Sequence, residues 1–159
     1  MMCRERQVDE QDGARRSDPT PEQIEALVVA AWAVRKNAYA PYSQFRVGAA
    51  ILTSEGEVVV GCNVENASFG LTNCAERTAV FSARAAGKLG PARQRRGGGP
   101  TIVAVAVVGR GATPPSPCGA CRQVLHEFGA GCLVVCENLR GERRTATLTE
   151  LLPGAFGPW

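Results

Sequence analysis

Three cysteines and one glutamate carry the chemistry that this sequence offers. They sit in two short segments, Cys74-Ala75-Glu76-Arg77 and Pro117-Cys118-Gly119-Ala120-Cys121, whose first cysteines are forty-four residues apart. Each segment falls near the expected start of a helix. Zinc favours a tetrahedron of thiolate or imidazole ligands, and a catalytic zinc keeps one corner for water. Cys118 and Cys121, three apart at a helix start, can reach one ion, and Cys74 supplies a third ligand from another helix. Glu76, two residues beyond Cys74, is then a general acid/base placed beside a metal-activated water.

The surroundings of those residues bear on the same chemistry. A helix N-terminus carries about half a positive charge, which favours thiolates by lowering their pKa. Three thiolates on a zinc ion leave about one net negative charge, which weakens the metal as an acid toward its water. Arg77, next to Glu76, is the natural donor to draw charge off the sulfurs.

Each piece also has a plainer use. Glu76 could close a capping box with Asn73 as its N-cap. Cys118 and Cys121 could form a redox pair, and Cys62 could complete a closed structural site. It is the combination, with Glu76 two residues after the first cysteine, that favours catalytic zinc. Cys62, Cys132 and Cys136 fall in strand-like runs and read as small core residues.

Composition narrows the setting. A chain of 159 residues is long enough for one domain with a real core. No apolar run approaches the ~18 to 20 residues that cross a bilayer. The opening residues Met1 to Arg6 lack the apolar stretch of a secretory signal, so a cytoplasmic protein is expected. The seven cysteines, an odd count, argue against a secreted disulfide framework. The net charge of +3 is mild and the basic residues are scattered, apart from Arg93, Arg95 and Arg96. That balance gives no clustered basic face for nucleic acid, and no membrane partner is expected.

The elements that must position the site follow from pattern. Residues 1–20 are charged, lack an apolar period and read as a disordered tail. A helix starts after Thr20, with Pro21 at its first position and Ile24, Leu27, Val28, Ala31 and Trp32 on one face. Two strands, Arg46 to Thr53 and Glu57 to Asn63, form a hairpin through Ser54-Glu55-Gly56. Thr72 and Asn73 open a second helix running to about Gly87. Residues 87–100, rich in glycine, proline and arginine, read as a flexible loop. Thr101 to Val108 is a buried strand, and Cys118 to Phe128 a third helix.

Two more strands, Cys132 to Cys136 and Thr145 to Leu148, are joined by a short link that favours antiparallel pairing. A last helical turn covers Thr149 to Leu152. The chain therefore reads as α/β: one domain over 21–159, three layers in the order α/β/α, around a mixed five-stranded sheet with antiparallel last two strands.

These segments resemble the small homotetrameric cytidine deaminases of the three-cysteine zinc type. Ala40 to Ala50 (APYSQFRVGAA) looks like that family's N-terminal signature. Gly61 to Ala67 (GCNVENA) resembles its ribose-binding strand. Cys74 to Ala79 and Ser116 to Gln123 resemble its zinc motifs, and Glu150 to Pro153 followed by Phe156 its C-terminus. The resemblance spans about residues 22–157 and implies one Zn2+ per subunit on Cys74, Cys118 and Cys121.

It further implies hydrolysis of cytidine and deoxycytidine to uridine and deoxyuridine in pyrimidine salvage. Hydroxide on the zinc attacks C4 while Glu76 moves the proton to N3 and then to the leaving ammonia. The backbone at Ala75 holds the pyrimidine edge. Asn63 and Glu65, two apart and so on one side of a strand, grip the ribose 3′-hydroxyl. Phe45 and Phe156 pack on the ligand, the latter from a neighbouring subunit, so the partners implied are a nucleoside and copies of the same chain with shared active sites.

A carboxylate at Glu65 leaves little room for a 3′-phosphate, which favours free nucleosides over polynucleotides. Three features depart from the family pattern: Phe69 stands where many relatives carry tyrosine, the 87–100 loop is long and basic, and the tail before residue 20 is extra. The alternatives are a deaminase of another cytosine compound such as blasticidin S, a nucleic-acid editing deaminase, or a zinc module without catalysis. The blasticidin-type proteins lack the Asn63 to Asn66 strand, the editing enzymes use histidine where Cys74 stands, and a zinc module has no need of Glu76.

Overall fold

Thr20 caps the first helix through a full capping box. Its hydroxyl accepts the Gln23 N–H, and the Gln23 side chain accepts the Thr20 N–H. The computed structural model describes residues 18–90 and 101–157. Helix α1 (Pro21–Arg35) carries Pro21 in its first turn and buries Leu27, Val28 and Ala31. Strands β1 (Val47–Thr53) and β2 (Val58–Cys62) pair antiparallel around the Ser54-Glu55-Gly56 turn. A short 3-10 turn (Phe69–Leu71) leads to helix α2 (Ala75–Ala85). Strand β3 (Ile102–Gly109), helix α3 (Gly119–Gly129), strands β4 (Leu133–Asn138) and β5 (Arg143–Thr147) and helix α4 (Leu148–Leu151) complete the order.

The sheet runs β2-β1-β3-β4-β5. β1 lies antiparallel to both β2 and β3, β3 and β4 are parallel, and β4 and β5 are antiparallel with Glu137 opposite Arg143. The parallel strands β3 and β4 are joined through helix α3, as a parallel return requires. Alternation on the two central strands feeds two cores. Ile51, Val105 and Val107 point toward α2 and α3 with Val80 and Leu125, whereas Ala50, Ala106 and Val108 point toward α1 with Leu27 and Ala31. Three layers result, with α1 on one face and α2 and α3 on the other. Cys132 and Cys136 are buried, as small core residues should be.

The expected start of the second helix shifts. Thr72 closes the 3-10 turn, its N–H bonded to the Phe69 carbonyl, and Asn73 forms a β-bridge to Val64, so the helix begins only at Ala75. The last elements also slide slightly: β4 continues to Asn138, and Thr147 ends β5 by capping α4. Of the expected tail, residues 1–17 lie outside the described residues, as do 91–100 of the expected loop. Among the described residues, no helix is long and apolar enough to cross a membrane.

Candidate active site

Cysteine occupies the N-cap of both α2 and α3. Cys74 and Cys118 have the extended backbone of a capping residue (ψ 154° and 166°), yet neither side chain makes a capping bond. A serine or aspartate there would spend its oxygen on the helix N–H groups; these sulfurs stay available. Cys121, one turn into α3, is fully buried behind them.

The three sulfurs converge. Cys74 and Cys118 are 4.0 Å apart and Cys118 and Cys121 3.5 Å, with all three within 4.8 Å of one another. Tetrahedral zinc with bonds of about 2.3 Å separates its sulfurs by about 3.8 Å, so the cluster is dimensioned for that ion. Protonation behaviour points the same way. The Cys74 thiol is drawn down to about 5, chiefly by a hydrogen bond from Cys121 and further by Arg77. Cys121 is pushed up by the Cys74 thiolate and by burial. Several thiolates so close together need a cation to ionise together.

Two groups frame the cluster. Glu76 is only 4% exposed. Burial lifts its carboxyl to about 7, with the charge on Cys74 acting in the same sense and Arg77 against it. Such an acid can both release and take up a proton near neutrality. Arg77 donates from Nη2 to the carbonyl of Thr72 at 3.0 Å and to Cys74 Sγ at 3.6 Å. Asn73, the candidate N-cap of a box with Glu76, instead donates from its amide to Thr78 Oγ1. The capping-box use of Glu76 is therefore not made.

The strand-end pair does more than the sequence announces. Asn63 lies just past β2, its Oδ1 accepting the Val47 N–H at 2.8 Å and its Nδ2 donating to the Phe45 carbonyl at 2.9 Å. Glu65 accepts the N–H groups of Tyr42 and Ser43, at 2.9 and 3.2 Å, and the Ser43 hydroxyl. Both side chains thus face residues 42–47, and both are under 10% exposed. Ser43, first among these donors, holds the Glu65 carboxyl below its ordinary range. Between Ser43 and Phe45 the chain reverses at Gln44, whose φ of 59° is the single non-glycine value in the left-handed region among the described residues.

Aromatic groups surround this segment. The Phe45 ring, part exposed, packs over Gly109, and Tyr42 meets Phe69 edge-on at 5.6 Å. Tyr42, Ser43, Glu65, Phe69 and Thr72 line an open cleft of about 410 Å³. Phe156 is set apart: the residue is 68% exposed, and its carbonyl accepts a bond from Gln123 on α3. Ser43 and Gly61 go unremarked in the sequence reading, although both lie inside the quoted motifs. Their partners, 22 residues and a whole helix away, leave no local signal.

Residues 21–137 match the family model for the cytidine and deoxycytidylate deaminase zinc-binding region. This chain belongs to the cytidine deaminase family. A cytidine deaminase from Halalkalibacterium halodurans is 48% identical over 131 residues, which cover 82% of this chain and 91% of that protein. The crystal structure of cytidine deaminase from Burkholderia pseudomallei superposes with a TM-score of 0.74 at 52% identity, over 83% of this chain and 98% of that one. A blasticidin-S deaminase from Bacillus cereus is more distant, at 33% identity over 116 residues, covering 70% of this chain and 76% of that protein. The α/β/α architecture and zinc as the metal of the three-thiol cluster accord with membership of the cytidine deaminases.

Proposed function

We propose that this protein hydrolyses cytidine and deoxycytidine to uridine and deoxyuridine, releasing ammonia, in cytoplasmic pyrimidine salvage. The observation that carries the reading is the buried carboxyl of Glu76 beside three convergent thiols at two helix N-termini. Cys74, Cys118 and Cys121 would hold one Zn2+, which supplies Lewis acidity that makes water a nucleophile near neutral pH. In a reducing compartment these sulfurs stay thiols and remain competent ligands.

Glu76 handles the protons. Its carboxylate takes one from the attacking water and delivers it to N3 of cytosine as the new C4–O bond forms. It then takes the proton of the new C4 hydroxyl and passes it to the exocyclic nitrogen, so that the C4 carbonyl forms as the C4–N bond breaks and ammonia leaves. A carboxyl whose ordinary pKa is raised by burial suits both directions of transfer. The backbone at Ala75, fully buried, holds the pyrimidine edge, and Phe45 packs on the base.

Glu65 and Asn63 take the ribose 3′-hydroxyl. An ionised carboxylate offers about four acceptor positions. Glu65 spends three on Tyr42 and Ser43, so one remains for the sugar. The Asn63 amide likewise has one N–H beyond the one given to Phe45. A 3′-phosphate would bring negative charge against Glu65, so free nucleosides are the substrates, and neither DNA nor RNA is. No group is assigned to a 2′-hydroxyl, so both sugars are accepted. The exposed rings of Phe156 and Phe69 and the exposed Leu71 support assembly into a homotetramer in which Phe156 reaches a neighbour's site.

The experiment is ammonia release from purified protein given cytidine, deoxycytidine, deoxycytidine monophosphate, blasticidin S and single-stranded DNA in separate reactions. Turnover of the two nucleosides alone is expected. Turnover of DNA instead would overturn the role of Glu65. Turnover of blasticidin S alone would transfer the chemistry to a different cytosine compound.

A further inference from the structure

Arg122 and Gln123, adjacent on α3, each donate to backbone outside that helix. Arg122 donates from Nε to the Pro117 carbonyl at 2.8 Å, from Nη2 to Ser116 Oγ at 3.0 Å and from Nη1 to the Leu151 carbonyl at 2.7 Å. Gln123 donates from Nε2 to the Phe156 carbonyl at 3.0 Å. None of the three acceptors of Arg122 is a carboxylate, so the guanidinium serves as a clamp on chain rather than as an ion-pair partner.

The composition of the loop explains the need for such a clamp. Pro114, Pro115 and Pro117 lack backbone N–H groups, so between residues 114 and 117 only Ser116 can donate. A stretch made of acceptors must be fixed by donors from elsewhere. Arg122 supplies them in a rigid fork. The peptide it grips at Pro117 is the one that leads into Cys118. Cys118 is the exposed thiol of the cluster and makes no capping bond of its own. Its position therefore depends on the 116–118 backbone. The same guanidinium fixes the end of α4, and Gln123 fixes the carbonyl of Phe156, at the far end of the segment that α4 begins.

We infer that Arg122 is a positioning residue for Cys118 and that Gln123 is a positioning residue for Phe156, so that one turn of α3 sets both the metal cluster and the C-terminal aromatic. The inference rests on the reading in which Cys118 holds zinc and Phe156 meets the nucleoside.

Zinc release to a colorimetric chelator, followed alongside kcat and KM for cytidine, tests it in the wild type, Arg122→Lys, Arg122→Gln, Ser116→Ala and Gln123→Ala. Arg122→Gln should release zinc about ten- to a hundredfold faster, the range for groups that orient metal ligands. Arg122→Lys should fail to restore the wild-type rate, because its donors radiate from one nitrogen and cannot span acceptors held by three separate nitrogens of the fork. Ser116→Ala should fall between. Gln123→Ala should leave zinc release unchanged and raise KM with kcat retained.

Wild-type zinc retention in Arg122→Lys overturns the first half of the inference, since charge alone would then suffice. An unchanged KM in Gln123→Ala overturns the second. If Arg122→Gln does not fold, the lysine and Ser116→Ala variants decide. A wild type that keeps zinc but turns over no nucleoside defeats the proposed function and the role of Gln123, while the release rates still judge Arg122. A wild type that binds no zinc overturns both readings.

Discussion

Gly61 on β2 lies directly against the backbone of Ala75 at the start of α2. A Cβ added at Gly61 would meet the Ala75 carbonyl oxygen at 2.5 Å and the Ala79 nitrogen at 2.4 Å. The helix that carries Glu76 is therefore seated on the hairpin through bare backbone. Gly61→Ala should push α2 away, costing about 1–3 kcal/mol. Thermal unfolding checks the loss, and kcat should fall with it. Gly131→Ala, where an added Cβ meets nothing within 4 Å, should leave both unchanged.

Glu76→Gln keeps the size of the buried side chain and removes its proton chemistry. Turnover of cytidine should drop by at least a factor of about 10² to 10⁴, the usual share of general acid–base catalysis. Zinc content, read by atomic absorption on the dialysed protein, should remain one per subunit. Loss of zinc together with activity would mark Glu76 as a structural prop.

Arg77 reaches both Cys74 Sγ and the Thr72 carbonyl. Its charge drains the thiolates, so Arg77→Gln should lower kcat by about ten- to a hundredfold. Stability should fall less, since one carbonyl contact is lost. Parallel kcat and thermal melts separate the two effects, and an equal loss in both would contradict the assignment.

Glu65 supplies a pH-dependent contribution of definite sign. Its folded pKa lies below the ordinary value of 4.5, mainly through the Ser43 hydroxyl and then the N–H groups of Tyr42 and Ser43. A depressed carboxyl stabilises the fold above its unfolded pKa and loses that contribution as pH falls through its folded pKa. Wild type should therefore melt above Glu65→Gln at pH 7, with the gap closing as pH drops below about 4.5. A gap that persisted unchanged to pH 3 would show that the Glu65 contacts do not depend on charge.

What was legible in the sequence was whatever stands in contiguous motifs or in local periodicity. The three thiols and Glu76 announce themselves because ligand spacing within a helix turn is a local property. Pro21, the β1–β2 turn and the short β4–β5 link likewise declare their structure in a few residues. Three other features were hidden because they depend on distant partners. Asn73 looks like a helix cap until Val64 pairs with it. Ser43 shows no role in its own neighbourhood until Glu65 arrives from 22 positions away. Asn63 and Glu65 read as a ligand grip, and only the packed structure reveals that they also brace residues 42–47.

The thiols are divided unequally along the chain: Cys74 caps α2, before strand β3, whereas Cys118 and Cys121 belong to α3, after it. The portions before and after this divide meet where β1 pairs with β3. A nascent chain that has emerged only through α2 owns one thiol of the cluster and cannot retain the ion. On the zinc reading, capture of the ion would follow the pairing of β1 with β3. A chain that stops before α3 would lack two of the three ligands and with them the means to react.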